Sequence, residues 1–252
     1  MPWLMKAEPD SRVVKGKDVK FSVDDFEKIG TSPWDGVRNH EAKSIMKERM
    51  KKGDKVLFYH SNCKEPGVFA LATIAREGYP DYTAWDASHP YFDAKTDKDK
   101  PIWFMVDVKF EKRLDHPPTL ALVKQLASLP SLPEEAGYIG QDGLKAIKGM
   151  ALVNRGRLSV QPVTDEAYEA VVKLGTKGGW ESLLPAKGLK KTSTKQEPDV
   201  GNEAPADEAH TAMSKKAKVS DKASSQARRK AIDEGPKEEQ PETSRRSKRI
   251  KR

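Results

Sequence analysis

Six consecutive residues, Trp34-Asp35-Gly36-Val37-Arg38-Asn39, set a large aromatic, an acid, a glycine turn and a guanidinium just ahead of a helical pattern. The start of a helix leaves backbone N–H groups open to an anion. The plainer uses of the same residues are Asn39 as a helix cap and Asp35–Arg38 as an ion pair, and both readings stay open at this point. Downstream, His60-Ser61-Asn62 closes a strand-like run, and Arg157, Ser159 and Gln161 form the polar face of another. These segments could line a concave site at one end of a sheet, or simply be the solvent face of half-buried strands. Recognition of an extruded nucleobase needs an aromatic platform, worth about 1–3 kcal/mol in stacking, and amide or hydroxyl groups for the base edge. Trp34 can supply the platform, and Lys6, Ser61, Asn62 and Gln161 the edge contacts.

Catalytic patterns are missing. The glycines are isolated, with no GxxxxGK[ST] or GxGxxG phosphate loop. His40, His60, His89, His116 and His210 show no metal-binding spacing, and no HExxH occurs. Cys63 and His60, three residues apart along one strand end, would point to opposite faces, so a thiol–imidazole pair is not expected. Asp35 or Asp107 could serve as a general base only with a tuned pKa and a partner nucleophile or water, and the sequence sets neither acid in an evident apolar pocket with one. The expectation is a binding protein, not an enzyme, with no cofactor and no metal.

Positioning such a site requires a scaffold. Residues 3–7 are apolar and bounded by Glu8-Pro9-Asp10, which predicts a buried strand ending in a turn. Ser22 ahead of Asp24 and Asp25 predicts a capped helix running to Ile29, where Gly30 stops it. Ala42, Ile45, Met46 and Met50 recur at three- and four-residue intervals, with Lys43, Lys47, Glu48 and Lys51 opposite, predicting a second helix ended by Gly53. Strands are expected over residues 56–60, 68–74, 102–110 and 157–163, and helices over 120–129, 141–148 and from a Thr164 cap to Leu174. There is no internal repeat and no regular βα alternation, so the fold class is α+β with a small, curved, mostly antiparallel sheet.

Charge is divided unevenly. Of the formal net charge of +8, residues 187–252 carry 18 Lys and Arg against 11 Asp and Glu, which leaves 28 against 27 for residues 1–186. Binding by the body must therefore rest on a local site, while the tail can add weak, salt-sensitive phosphate attraction. No Phe, Tyr or Trp follows Trp180, and such a segment cannot offset an ordering cost of about 1–2 kcal/mol per residue, so a disordered basic tail is expected over 184–252. Its clusters Arg228-Arg229-Lys230 and Arg245, Arg246, Lys248, Arg249, Lys251 and Arg252 read as nuclear-localisation signals. The single Cys63 excludes an intrachain disulfide and fits a reducing compartment. No apolar run of about 18 residues is present, so neither membrane insertion nor secretion is expected.

Laid end to end, these segments resemble the EVE-domain proteins, in particular the thymocyte nuclear protein type. The matching motifs are Trp-Leu-Met-Lys-Ala-Glu-Pro from Trp3, Val-Lys-Phe-Ser-Val-Asp-Asp from Val19 and Trp-Asp-Gly-Val-Arg-Asn from Trp34. Phe-Tyr-His-Ser-Asn-Cys-Lys-Glu-Pro-Gly from Phe58, Tyr-Pro-Asp from Tyr79, Trp-Phe-Met-Val-Asp-Val from Trp103 and Arg-Leu-Ser-Val-Gln-Pro from Arg157 continue in the family's order. The resemblance implies one EVE domain over residues 1–183, a PUA-like fold whose sheet curls into a pseudo-barrel with flanking helices, related to YTH and SRA modules. It implies a pocket for a modified base, most of all modified cytosine in DNA, 5-hydroxymethylcytosine or 5-methylcytosine. It also places Trp34 where YTH readers carry an aromatic wall, with Lys6, Ser61 and Asn62 as neighbours and Trp103 as a second aromatic. The segment 113–140, with Leu129-Pro130-Ser131-Leu132-Pro133, departs from the family pattern.

The expected function is thus a nuclear, monomeric reader of modified cytosine in DNA. An RNA reader of the same fold, an enzyme acting on a flipped base and a peptide-binding module are the alternatives.

Overall fold

The computed structural model describes residues 1–185; the tail and its basic clusters lie outside the described residues. Six strands form one sheet in the order β4-β7-β6-β5-β1-β8. In chain order these are β1 (Trp3–Ala7), β4 (Thr31–Pro33), β5 (Lys55–His60), β6 (Gly67–Pro80), β7 (Phe104–Arg113) and β8 (Val160–Pro162), with a small separate hairpin of β2 (Val13–Val14) and β3 (Lys17–Asp18). Only β1 and β5 run parallel; every other ladder of the large sheet is antiparallel. The fold is α+β as expected, but the sheet does not close into a barrel, because its edges are the three-residue strands β4 and β8 at opposite ends. Curvature comes instead from register shifts, one in β5 between Phe58 and Tyr59 and three along β6.

Both faces of the sheet are covered, which explains why Trp3 to Ala7 and Val56 to His60 read as nearly continuous apolar runs. Leu4, Leu57, Tyr59, Val68 and Leu71 pack into one core with α3 (Leu120–Ser128), α4 (Gly140–Lys148) and α6 (Asp165–Lys177). The short α5 (Ala151–Asn154) leads into β8. On the other face Trp3, Met5, Val56 and Phe58 meet Phe26 of α1 (Val23–Ile29), Trp34, and Ile45 and Met46 of the second helical segment. Burial of each large apolar side chain contributes about 1.5–3 kcal/mol, so the strands are held by their side chains on both faces.

The local signals at α1 are realised in full. Ser22 Oγ accepts from the Asp25 N–H at 3.2 Å, Asp25 returns the bond to the Ser22 N–H at 2.9 Å, and Gly30 ends the helix at φ +75°. The second helix differs from its prediction. It is α-helical only over α2 (His40–Ser44), then widens to a π-helical turn, Ile45–Arg49, in which the Met50 N–H reaches the Ile45 carbonyl. Here β6 presses directly on the turn: a Cβ on Gly78 would lie 2.7 Å from Lys47 Cα and from the Met46 oxygen. The predicted strand 157–163 is also shorter. Its first residues bend through a turn closed by the Leu158 N–H on the Arg155 carbonyl, leaving only Val160–Pro162 as β8.

Candidate functional site

Beside β4 a cavity of about 470 Å³ opens between the β2–β3 hairpin, the loop after Trp34 and the loop around Tyr91. Its apolar wall includes Phe21, Trp34, Val37 and Tyr91. Among its polar lining groups are Lys6, Asp35, Arg38 and Ser159, with Glu8, Lys17, Asp18 and Lys20 toward the hairpin. Opposite charges are mixed around the opening, which agrees with the near-neutral balance of residues 1–186.

Trp34 is held from two directions. Its N–H donates to the Val106 carbonyl at 2.8 Å, extending the β4–β7 ladder, and its ring packs edge-on against Phe21 and Phe58 at 6.1 and 6.0 Å. Only 7% of Trp34 is exposed, so it is a core side chain presenting one border to the cavity, not a free platform. Two residues on, Gly36 sits at φ +70°, and a Cβ there would come within 2.5 Å of the Tyr91 ring, so this close approach requires glycine.

The centre that fixes this loop is Asp81, which the sequence reading passed over. Fully buried at the end of β6, Asp81 accepts from the Gly36 N–H at 3.0 Å, from Arg38 Nη1 at 2.7 Å and from both the N–H and the hydroxyl of Thr83. Arg38 also donates from Nε to the Tyr91 carbonyl at 2.7 Å, and its guanidinium lies 5.6 Å from the Trp103 ring. Arg38 is therefore committed to Asp81, not to Asp35 as the local ion pair would have it. Asp35 lines the cavity, and its carboxyl has no hydrogen-bond or ion-pair partner among the described residues. Burial, and then the charge of Asp81, holds that carboxyl above the usual carboxylate range. The available signal for Asp81 was the Tyr79-Pro80-Asp81 motif followed by Thr83, since an Asp bonding two residues ahead marks a turn.

Of the residues singled out from the sequence, Lys6, Trp34, Asp35, Arg38 and Ser159 come together around the cavity. Lys6 reaches it from the end of β1, with Nζ donating to the Gly156 carbonyl at 2.9 Å, and burial lowers its pKa. The others are engaged elsewhere. Asn39 caps α2, its Oδ1 accepting from the Ala42 N–H at 3.0 Å. Ser61 donates to the Ala7 carbonyl, and Asn62, at φ +53°, donates to Glu8. Trp103 donates to Asp93 and stacks near His40, supporting Arg38 from behind. Arg157 is exposed and outside the lining. Gln161 is 1% exposed and donates to the Arg155 and Leu158 carbonyls; it pairs with Leu4, on the face covered by helices, so no base edge can reach it. Asp107 accepts from the Tyr79 hydroxyl and does not line the cavity.

His60 has a structural duty as well. Its Nε2 accepts from the Val23 N–H at 3.0 Å, satisfying a helix-start donor, while its ring stacks on Phe69 at 4.1 Å. The bond requires neutral imidazole, and burial lowers its pKa to about 4. A group lowered in this way binds its proton in the unfolded chain first, so its stabilising contribution is complete above about pH 6.5 and is lost as pH falls toward 4. At 1.36 kcal/mol per pKa unit the loss is roughly 3 kcal/mol. Urea unfolding at pH 7 and at pH 4.5 is expected to show a larger drop for the wild-type chain than for His60→Gln; equal drops would remove His60 from the acid response.

The sequence pattern of the EVE domain matches residues 2–174. Thymocyte nuclear protein 1 of Danio rerio is 43% identical over 176 residues, 68% of this chain and 71% of the relative. The Homo sapiens protein of that name is 41% identical over 177 residues, 69% and 74% of the two chains. Among solved structures, the human THYN1 protein in complex with 5-methylcytosine-containing DNA is 40% identical, with a TM-score of 0.60, covering 70% of this chain and 98% of that one. A hypothetical protein from Leishmania major is 44% identical with a TM-score of 0.55, covering 69% and 93%.

Proposed function

This chain belongs to the EVE-domain family, and on that premise we propose that it is a nuclear reader of modified cytosine in DNA that takes the base into the cavity beside Trp34. The observation that carries the reading is that cavity, a space of about 470 Å³ with an aromatic wall and a few convergent polar groups, in a domain 40% identical to one solved with 5-methylcytosine-containing DNA. Its size falls within the usual range for small-ligand pockets, about 300–1,000 Å³. Trp34 and Tyr91 offer ring contacts that suit a methyl substituent, and Lys6 and Ser159 supply polar groups that suit a hydroxymethyl. The names of the relatives and the basic clusters around Arg228 and Arg245 support a nuclear location.

The reading is one of binding, not catalysis. Of the two candidate general bases, Asp107 is taken up by Tyr79 away from the cavity. Asp35 lines the cavity, and the reading gives it a binding role there.

The test is direct binding of the full chain to matched DNA and RNA oligonucleotides carrying plain, methylated or hydroxymethylated cytosine. Modified-cytosine DNA is expected to bind at least roughly tenfold more tightly, a difference of about 1.4 kcal/mol. Ser159→Phe, which fills the cavity, is expected to erase that preference. Deleting residues 187–252 is expected to flatten the dependence of affinity on salt while leaving the preference in place. Equal, salt-sensitive binding to every oligonucleotide, unchanged by Ser159→Phe, would overturn the reading.

A further inference from the structure

We propose that Asp35 is the specificity-determining residue of the cavity, selecting cytosine over thymine by accepting a hydrogen bond from the amino group at position 4 of the base. The inference rests on the reading of the cavity as a base site. It starts from an asymmetry among the polar groups around the cavity. Arg38 is bound to Asp81 and to the Tyr91 carbonyl, and Lys6 donates to Gly156. Asp35 alone among these carries an uncommitted carboxyl, with neither a hydrogen bond nor an ion pair among the described residues, although it is partly buried. The carboxylate oxygens keep contact with solvent but have no protein donor among the described residues, so a ligand that brings an N–H can pair with them without displacing an existing bond.

The backbone that carries Asp35 is held before any ligand arrives. On one side the Trp34 N–H is held by Val106, and on the other the Gly36 N–H is held by the buried Asp81. These two bonds keep the Asp35 Cα at the cavity border whichever base enters. The raised pKa of Asp35, caused first by burial and then by Asp81, is consistent with an acceptor still short of donors.

The chemistry of the ligand makes this residue decisive. A site that accepts a 5-methyl pyrimidine must still tell 5-methylcytosine from thymine, which carries the same methyl group. The two differ on the pairing edge, where cytosine has an amino donor at position 4 and thymine a carbonyl oxygen. A carboxylate facing that position attracts the first and repels the second. An amide at the same place can present either its oxygen or its NH₂, and so pairs with both.

The experiment compares 5-methylcytosine and thymine, each set opposite an abasic site in one duplex so that extrusion costs are alike. Full-length wild-type protein, Asp35→Asn, Asp35→Ala and Ser159→Phe are measured, and thermal unfolding checks that each variant is folded. Wild type is expected to favour 5-methylcytosine by tenfold or more. Asp35→Asn is expected to bring the two affinities within about threefold of each other by strengthening thymine, and Asp35→Ala to do so by weakening 5-methylcytosine. If wild type discriminates and both Asp35 variants keep its ratio, the role of Asp35 is overturned while the base-reading function stands. If wild type shows no base preference and Ser159→Phe changes nothing, the base-reading function itself falls.

Discussion

Asp81→Ala is expected to lower the unfolding free energy by about 3–5 kcal/mol, the range for breaking a buried charge pair by removing one partner. The side chain is wholly buried and ties together Gly36, Arg38 and Thr83, so its loss leaves several donors without an acceptor. Arg38 suffers most, because its Nη2 is already buried without a hydrogen bond. The cost should appear as a lower urea midpoint with little change in slope, since the surface exposed on unfolding is nearly the same. Asp81→Asn keeps an oxygen for Gly36 but removes the charge, and should fall between wild type and Asp81→Ala. If Asp81→Ala were within about 0.5 kcal/mol of wild type, as surface substitutions are, Asp81 would not be the centre of the loop. Base-dependent binding should decline in parallel, because the Gly36 turn sets both Asp35 and the approach of Tyr91.

Trp34→Ala is expected to act on stability and on binding at once. Its ring is 7% exposed and touches Phe21 and Phe58, so truncation opens a cavity in the core and costs about 3–5 kcal/mol. Loss of binding in that variant alone would therefore prove nothing about base contact. Trp34→Phe separates the effects: it keeps much of the packing and removes the far part of the wall. Its stability should fall by less than half as much, while the preference for modified cytosine weakens several-fold. A Trp34→Phe chain that binds like wild type would assign Trp34 to the core alone and leave Tyr91 as the ring that meets the base.

Much of the scaffold can be read residue by residue. Ser22, Asp25 and Gly30 mark both ends of α1, because caps use side chains within three residues of the backbone groups they satisfy. The apolar runs of β1 and β5 announce strands buried on both faces, and Thr164 marks the start of α6. The π-helical turn at Ile45 is invisible to periodicity, and it packs against Gly78, on a strand that arrives later in the chain. The same holds for the early end of the predicted strand at 157–163, where turn bonds around Arg155 override an alternation that is present in the sequence.

By itself, then, the sequence determined the local elements, the near-neutral body beside a basic tail, and the segment around Trp34 that borders the cavity. Only the tertiary structure decided the use of each polar side chain. Arg38 binds an acid 43 residues away in preference to its near neighbour, and His60 caps a helix 37 residues before it. The physical reason is that caps, turns and apolar periods are fixed by interactions within a few residues. The partner of a buried charge or imidazole is instead selected by whichever distant group packing brings within about 3 Å. Packing also leaves Asp35 at the cavity without a partner among the described residues, although its sequence neighbours include a ready one in Arg38.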